Sequence, residues 1–250
     1  FVVGVDLGGT NLRVGAISRG GELLALRHGA LPGDGDASLS LESLAAQIGD
    51  LCAVVADGRL AGVGVASTGP LDRTRGTIEN PFTLPGWQSV PIVSFLTQRL
   101  QVPVVLENDA DAAALGEAWV GLGRGRERVV AVTVGTGIGL GSVLHGQVYR
   151  GMGGLHPEAG HHVIDPSGPA CYCGAHGCWE SLASGPALAG RARGRGRGEG
   201  GVLAARLAGG LPVEAEDVAA AARAGDGLAR ELMAGEARYL GLGLVNVLAF

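Results

Sequence analysis

The sequence predicts an α/β protein of two similar lobes, each a mixed sheet with packed helices, and a metal knot in its second half. Three observations predict this. A strand, a glycine-rich turn and a further strand occur at Val2–Ile17 and again at Val129–Leu144. Outside these repeats, apolar residues at helical spacing mark amphipathic helices. The stretch Gly151–Gly185 gathers three of the four cysteines and four of the six histidines. The lobes are expected to span residues 1–110 and 111–250 and to meet near Asp109.

A length of 250 residues suits one large domain or two ordinary ones. The 46% hydrophobic content can fill a core, and with only 4% aromatic residues that core is aliphatic. A net charge of −5, with every basic residue an arginine, argues against a nucleic-acid or anionic-membrane role. No apolar run reaches the ~18–20 residues that span a bilayer, and no secretory signal pattern is present. The clustered cysteines fit metal-bound thiolates in a reducing, cytoplasmic setting better than a disulfide framework. The chain starts at Phe1, in or beside a strand, and stops in the uncapped apolar run Leu240–Phe250. The natural protein is expected to continue beyond Phe250.

Taken in order, Phe1–Asp6 predicts a buried strand, Leu7–Thr10 a turn, and Asn11–Ile17 a second strand. Gly20-Gly21 turns the chain into Leu23–Leu26, and Leu31–Ser38 reads as loop. Leu39–Val55 places Leu41, Leu44, Ala45, Ile48, Leu51, Cys52 and Val55 on one helical face, with Cys52 a plain core residue. Gly62–Ala66 and Val102–Leu106 predict strands, Val93–Leu100 and Ala110–Gly121 helices, and Glu79–Trp87 a loop. Val129–Val134 is a strand, and Ser142–Leu144 with Gln147–Tyr149 a hairpin. A helix follows the knot. In Gly190–Gly201 the residues Arg191, Arg193, Arg195 and Arg197 alternate with small residues, which predicts a solvated loop. Glu216–Arg223 and Leu228–Leu248 are helical, the second with Leu228, Leu232, Gly235, Tyr239 and Leu242 along one face.

Two glycine-rich loops suit phosphate. In Asp6-Leu7-Gly8-Gly9-Thr10-Asn11-Leu12-Arg13, small residues let backbone N–H groups approach an anion. Thr10 adds a hydroxyl, Arg13 a guanidinium fork, and Asp6 a carboxylate that can hold Mg²⁺ through water. The second loop runs from Thr133 to Gly141 and includes Thr136 and Gly137. Strand rather than helix follows it, so it is no dinucleotide fingerprint, and without lysine it is no Walker loop. Each alone also reads as a plain turn; a pair at corresponding places in a repeat is the stronger signal.

Glu107-Asn108-Asp109-Ala110-Asp111 ends a buried strand and opens a helix. Asn108 or Asp109 suits a helix N-cap. Asp109 at a strand's end also suits a general base, with Asn108 holding a neighbouring hydroxyl. Glu107 and Asp111 read as strand-end and helix-start charges. In the knot, Cys171, Cys173 and Cys178 with one histidine make a tetrahedral set, for which a structural Zn²⁺ is the natural ion. His156, His161, His162 and His176 all qualify as the fourth ligand. Zinc would hold Glu158 and Glu180 rigid beside it, as carboxylates that accept bonds from sugar hydroxyls require.

These residues together resemble the ROK family of bacterial sugar kinases and repressors over nearly the whole chain. The likeness is densest at Asp6–Arg13, Gly62–Asp72, Val104–Asp111, Thr133–Gly141 and Gly151–Gly185. Its most specific pattern is Glu158–His161 followed by Cys171–Glu180. The resemblance implies a two-lobed, actin-like (ribonuclease H-like) ATPase fold, with His161, Cys171, Cys173 and Cys178 as zinc ligands. It implies sugar contacts from Asn108, Asp109, Glu158, His161 and Glu180, with Asp109 as base, and pocket positions at Gly69 and Asn80. Gly8, Gly9, Thr10, Arg13, Thr136 and Gly137 match its phosphate loops. The implied activity is ATP- and Mg²⁺-dependent phosphorylation of a hexose, most simply glucose to glucose 6-phosphate, by a cytoplasmic dimer or tetramer. His156-Pro157 stands where many glucokinase-type members have glycine and is similar to fructokinase-type members. A fructokinase, an N-acetylhexosamine kinase, a polyphosphate-using kinase and a sugar-responsive regulator lacking its DNA-binding domain are the alternatives. The family's later glycine-rich adenosine loop has no counterpart before Phe250.

Overall fold

The structure is a computed structural model that describes residues 1–8, 12–31, 36–55, 58–81, 83–151, 158–195 and 200–249. It divides into two compact units. The first comprises Phe1–Ala131 with Gly141–Arg150, and the second Val132–Leu140 with Gly151–Phe250.

The first unit is built on a five-stranded mixed sheet. Strands β1 (Val2–Leu7), β2 (Leu12–Ile17) and β3 (Leu23–Gly29) form an antiparallel meander. Strands β4 (Val63–Ser67) and β7 (Val104–Asn108) add parallel to β1, giving the order β3-β2-β1-β4-β7. Two short strands, β5 (Leu71–Asp72) and β6 (Thr77–Ile78), make a separate ribbon. Alternation drives the packing: Val3, Val5 and Leu7 of β1 point into the core, as do Val63 and Val65 of β4.

Helix α1 (Ala37–Val54) covers this core with Leu41, Leu44, Ala45, Ile48 and Leu51. It begins two residues earlier than the apolar pattern indicates, because Asp36 caps it, accepting from the amides of Ser38 at 2.8 Å and Leu39 at 3.2 Å. Cys52 is only half-buried at the margin of the core, and partial burial pushes its thiol pKa up. Helices α2 (Ile92–Leu100) and α3 (Asp109–Trp119) complete the unit's helices. Strands β8 (Arg128–Val134), β9 (Ile138–Leu144) and β10 (Gln147–Val148) form a three-stranded sheet, and the division between units falls within β8 and again within β9.

Among the described residues the second unit is mainly helical: α4 (Trp179–Ala183), α5 (Gly185–Arg195), α6 (Val202–Ala208), α7 (Ala215–Arg223) and α8 (Gly227–Leu248). Leu188, Leu203, Val213, Val218, Leu228 and Leu232 form one core cluster. A second gathers around Trp179, with Ile138 and Ala183.

Two expectations change here. Residues 190–195 are helix, not loop, because the arginines have partners. Arg191 pairs with the buried Glu236 and lies 5.4 Å from the Tyr239 ring centroid, Arg193 donates to the Val213 carbonyl at 2.9 Å, and Arg195 pairs with Glu231 at 2.8 Å. The buried stripe of α8 runs through Leu228, Leu232, Glu236 and Gly243, and leaves Leu242 exposed. Pairing with Arg191 allows Glu236 to replace an apolar residue in that stripe. Among the described residues no helix is long and apolar enough to cross a membrane.

Gly243 is where α8 admits the Trp179 ring, since a Cβ there would collide with it. Gly243→Ala is therefore expected to destabilise the protein by about 1–3 kcal/mol, the usual cost of overpacking, read as a lower urea midpoint. An unchanged midpoint would contradict this packing.

Candidate active site and metal centre

In the first unit, register brings three loop-bearing strand ends into one row. Leu7 lies opposite Ser67, and Ser67 opposite Asn108. The segments after these residues contain Gly8, Thr68-Gly69 and Asp109 respectively. Carboxyl ends of parallel strands are where open α/β sheets bind ligands.

Asn108 is the N-cap of α3. Its Oδ1 accepts from the amides of Ala110 at 2.9 Å and Asp111 at 3.2 Å. With Oδ1 so committed, Nδ2 is turned towards Gly69, 3.9 Å from where a Cβ on that glycine would stand. Asp109 is half-buried at the helix's first position, and the Ala110 amide donates to its Oδ1 at 2.8 Å. The positive end of the helix favours a carboxylate there.

The residue before them matters more than a strand-end charge. Glu107 takes Arg73 Nη1 at 2.7 Å, Arg150 Nε at 3.2 Å and the Asn108 amide at 3.0 Å, and Arg150 Nη2 makes a further bond. Burial is the largest single influence on this carboxyl and pushes its pKa up. The bonds from Arg150 and Asn108, with the charges of Arg73 and Arg150, together outweigh burial and hold it below the usual range.

Asn80 is buried and ties two loops together. Its Nδ2 donates to Thr83 Oγ1 at 2.7 Å and Thr68 Oγ1 at 3.3 Å, and its Oδ1 accepts from the Thr83 amide at 3.1 Å. Arg13 Nη1 lies 3.2 Å from Asp6 Oδ2 across the β1–β2 pair. Both side chains are about half exposed, so this bond is weak and exchangeable. Gly9, Thr10 and His156 lie outside the described residues.

In the second unit the knot is compact. Single ligand atoms from His161, Cys171, Cys173 and Cys178 all lie within 4.8 Å of one another, a set that could hold a metal ion. Among the described histidines only His161 belongs to it. His176 is exposed, and His162 turns its Nδ1 to the Ala159 carbonyl at 2.5 Å and packs against Trp179. His161 ends a 3₁₀ turn, Ala159–His161, and its amide donates to the Glu158 carbonyl at 3.0 Å. Cys171 and Cys173 sit on a tight turn closed by Gly174 N–H to the Cys171 carbonyl at 3.0 Å, and Cys178 immediately precedes α4. Gly177 has φ +69° and no room for a Cβ against the Asp165 carbonyl.

The thiols are chemically unequal. A hydrogen bond from the Ala175 backbone is the main cause lowering the pKa of Cys173. Cys178 is fully buried, and burial followed by the neighbouring thiols pushes it up to about 12. Crowded thiols that resist ionising together are suited to a divalent cation, whose charge reverses the penalty.

Glu180, two residues beyond Cys178, accepts from the Ile138 amide at 2.9 Å. Gly137 lacks the Cβ that would clash with that carboxylate. The glycine-rich turn at 135–137 is anchored again by the Gly185 amide on the Gly135 carbonyl at 2.9 Å. The structure thus joins Thr136-Gly137 to Glu180, residues that the sequence treats as separate motifs. Glu158 and Thr136 are exposed.

Sequence reasoning missed the parts of four residues: Glu107 as a clamp, Thr68 and Thr83 around Asn80, and Tyr172, whose hydroxyl lies 3.0 Å from His161 Nε2. The one available signal was adjacency to a chosen residue.

Residues 2–250 match the ROK family. The chain belongs to the ROK family. It is 39% identical over 189 residues to a glucokinase of Thermotoga maritima, a match covering 75% of this chain and 58% of that enzyme. A ROK hexokinase structure from Thermus thermophilus is 38% identical, with TM-score 0.80, covering 99% of this chain and 77% of that one. A ROK family glucokinase from Streptomyces griseus, in complex with glucose and AMPPNP, is 32% identical, with TM-score 0.78, covering 99% of this chain and 79% of that one. The α/β architecture described above is the one these ROK structures have.

Glu107 predicts an acid-labile contribution to stability. Its folded pKa lies below the ordinary 4.5, so its contribution is fully present above that value and is lost as pH falls through the folded pKa. Glu107→Gln is expected to lower stability near neutral pH and to flatten the decline below about pH 4.5, measured as urea midpoints against pH. An acid limb identical in variant and parent would remove Glu107 as its source.

Proposed function

We propose that this ROK protein is an ATP-dependent hexose kinase that converts glucose to glucose 6-phosphate on an actin-like ATPase fold. The observation that carries this is its likeness, over 99% of the chain, to the Streptomyces griseus glucokinase in complex with glucose and AMPPNP.

Asp109 is the general base. It accepts the proton of the sugar 6-hydroxyl as that oxygen bonds to the γ-phosphorus and the bond to the departing ADP oxygen breaks. The Ala110 amide, bonded to Oδ1, holds the carboxylate's orientation. Asn108 keeps Oδ1 on the cap and offers Nδ2 to a sugar oxygen. Glu158, His161 and Glu180 bind further hydroxyls, while Gly69 and Asn80 shape the pocket wall. Gly8, Gly9, Thr10 and Arg13, with Thr136 and Gly137, bind the phosphates of ATP, and Asp6 holds the accompanying Mg²⁺ through water. Arg13 reaches phosphate by leaving Asp6, a step made cheap by the exposure of that pair.

His161, Cys171, Cys173 and Cys178 hold Zn²⁺. With four protein ligands the ion would be structural, holding the knot together rather than entering the reaction. Its thiolates require a reducing compartment, which makes the cytoplasm the place of action, and the assembly is a homo-oligomer.

A coupled ADP-release assay over glucose, fructose, mannose and N-acetylated hexosamines, with ATP or polyphosphate as donor, tests the reading. Glucose with ATP is expected to be fastest, and absence of turnover with every pair would overturn it. Asp109→Ala is expected to lower kcat by about 10²–10⁴ while glucose binding changes only modestly; an active variant would remove Asp109 as base. Cys173→Ser is expected to lose bound zinc and stability together, read by metal analysis and thermal midpoint.

A further inference from the structure

Tyr172 stands between two sulfur ligands, and the function proposed above gives it no role. The residue is 83% exposed, so little packing holds it. Its hydroxyl is nonetheless placed. Oη lies 3.0 Å from His161 Nε2, and the two rings meet edge to face with centroids 5.0 Å apart. The carboxylates of Glu180 and Glu158 are its other polar neighbours, with Glu180 in hydrogen-bonding reach.

The valence of His161 makes this contact exclusive. Nδ1 is the nitrogen that faces the sulfur cluster, 3.4 Å from Cys171 Sγ. A neutral imidazole that ligates through one nitrogen carries its single proton on the other. With a metal ion on Nδ1, Nε2–H has one hydrogen to give, and Tyr172 Oη stands 3.0 Å away to receive it. The tyrosine's own hydrogen is then directed to the Glu180 carboxylate. A sugar hydroxyl bound by His161 and Glu180 needs the same donor and the same acceptor.

We propose that Tyr172 is a positioning residue that acts as a placeholder: its hydroxyl occupies the place between His161 and Glu180 that a substrate hydroxyl takes, so that the sugar binds in competition with it. This rests on the hexose-kinase reading, with His161 and Glu180 as sugar ligands. Tyr172 keeps the imidazole proton and the carboxylate satisfied and aimed. Because it is exposed, it leaves at the expense of two hydrogen bonds, which the incoming hydroxyl re-forms. Tyr172 thereby sets how well a hydroxyl must match this pair to bind.

The test is calorimetric titration of zinc-loaded parent, Tyr172→Phe and Tyr172→Leu with glucose, without nucleotide, after metal analysis. Removing a competitor is expected to tighten glucose binding by about 2- to 10-fold in both variants, the worth of one neutral hydrogen bond. Loss of a merely structural contact does the opposite. Unchanged or weaker binding with zinc retained would overturn the placeholder alone. Loss of zinc from either variant would make Tyr172 a support of the knot and overturn it too. A zinc-loaded parent that binds no hexose would overturn the kinase reading, and the placeholder with it.

Discussion

Cys178, Trp179 and Glu180 are consecutive, and the second unit depends on their pointing at three different partners. Successive helical residues are turned by about 100°, so Trp179 and Glu180, the first two of α4, diverge, while Cys178 before them has extended backbone. Cys178 joins the metal set, Trp179 fills the core against Gly243 of α8, and Glu180 accepts the Ile138 amide. Metal geometry, hydrophobic packing and the position of one carboxylate are thus a single rigid-body problem. A displaced sulfur moves the tryptophan and the glutamate with it.

The first unit orders its candidate base by different means. Glu107, Asn108 and Asp109 are also consecutive, and hydrogen bonds and ion pairs order them. Two arginines hold Glu107, the helix cap occupies Asn108, and Asp109 takes the first helical amide. Each contact is modest alone. Together they leave the strand-to-helix junction little freedom, and orientation is what a general base contributes.

Much of this was legible in the sequence, and the rest shows what a linear reading lacks. The apolar periodicity of β1 and α1 located those elements because each buries one face against the sheet core. The start of α1 was missed because Asp36, not an apolar residue, determines it. Residues 190–195 looked like solvated loop because their arginines have partners at Leu182, Val213, Glu231 and Glu236, none predictable from local composition. The face of α8 was read correctly at Leu228, Leu232 and Tyr239 but not at Leu242, and Glu236 was overlooked because a paired glutamate took an apolar position. In the candidate site, residue type and spacing nominated Asp109 and picked out the three cysteines that the fold brings together. They could not show that Asn80 spends its amide on two threonines, or that Glu180 is bonded to the turn after β8. Those facts belong to folded distance.

The route of the chain has a further consequence. It leaves the first unit at Val132, returns at Gly141 and leaves again after Arg150. Arg150, one of the two guanidiniums on Glu107, therefore arrives only with the returning segment. During synthesis the junction carrying Asp109 emerges from the ribosome about forty residues before its clamp is complete. No single cut of the backbone separates two intact units. A fragment ending before Gly141 would keep Asp109 in sequence but lack half of what fixes the residues beside it.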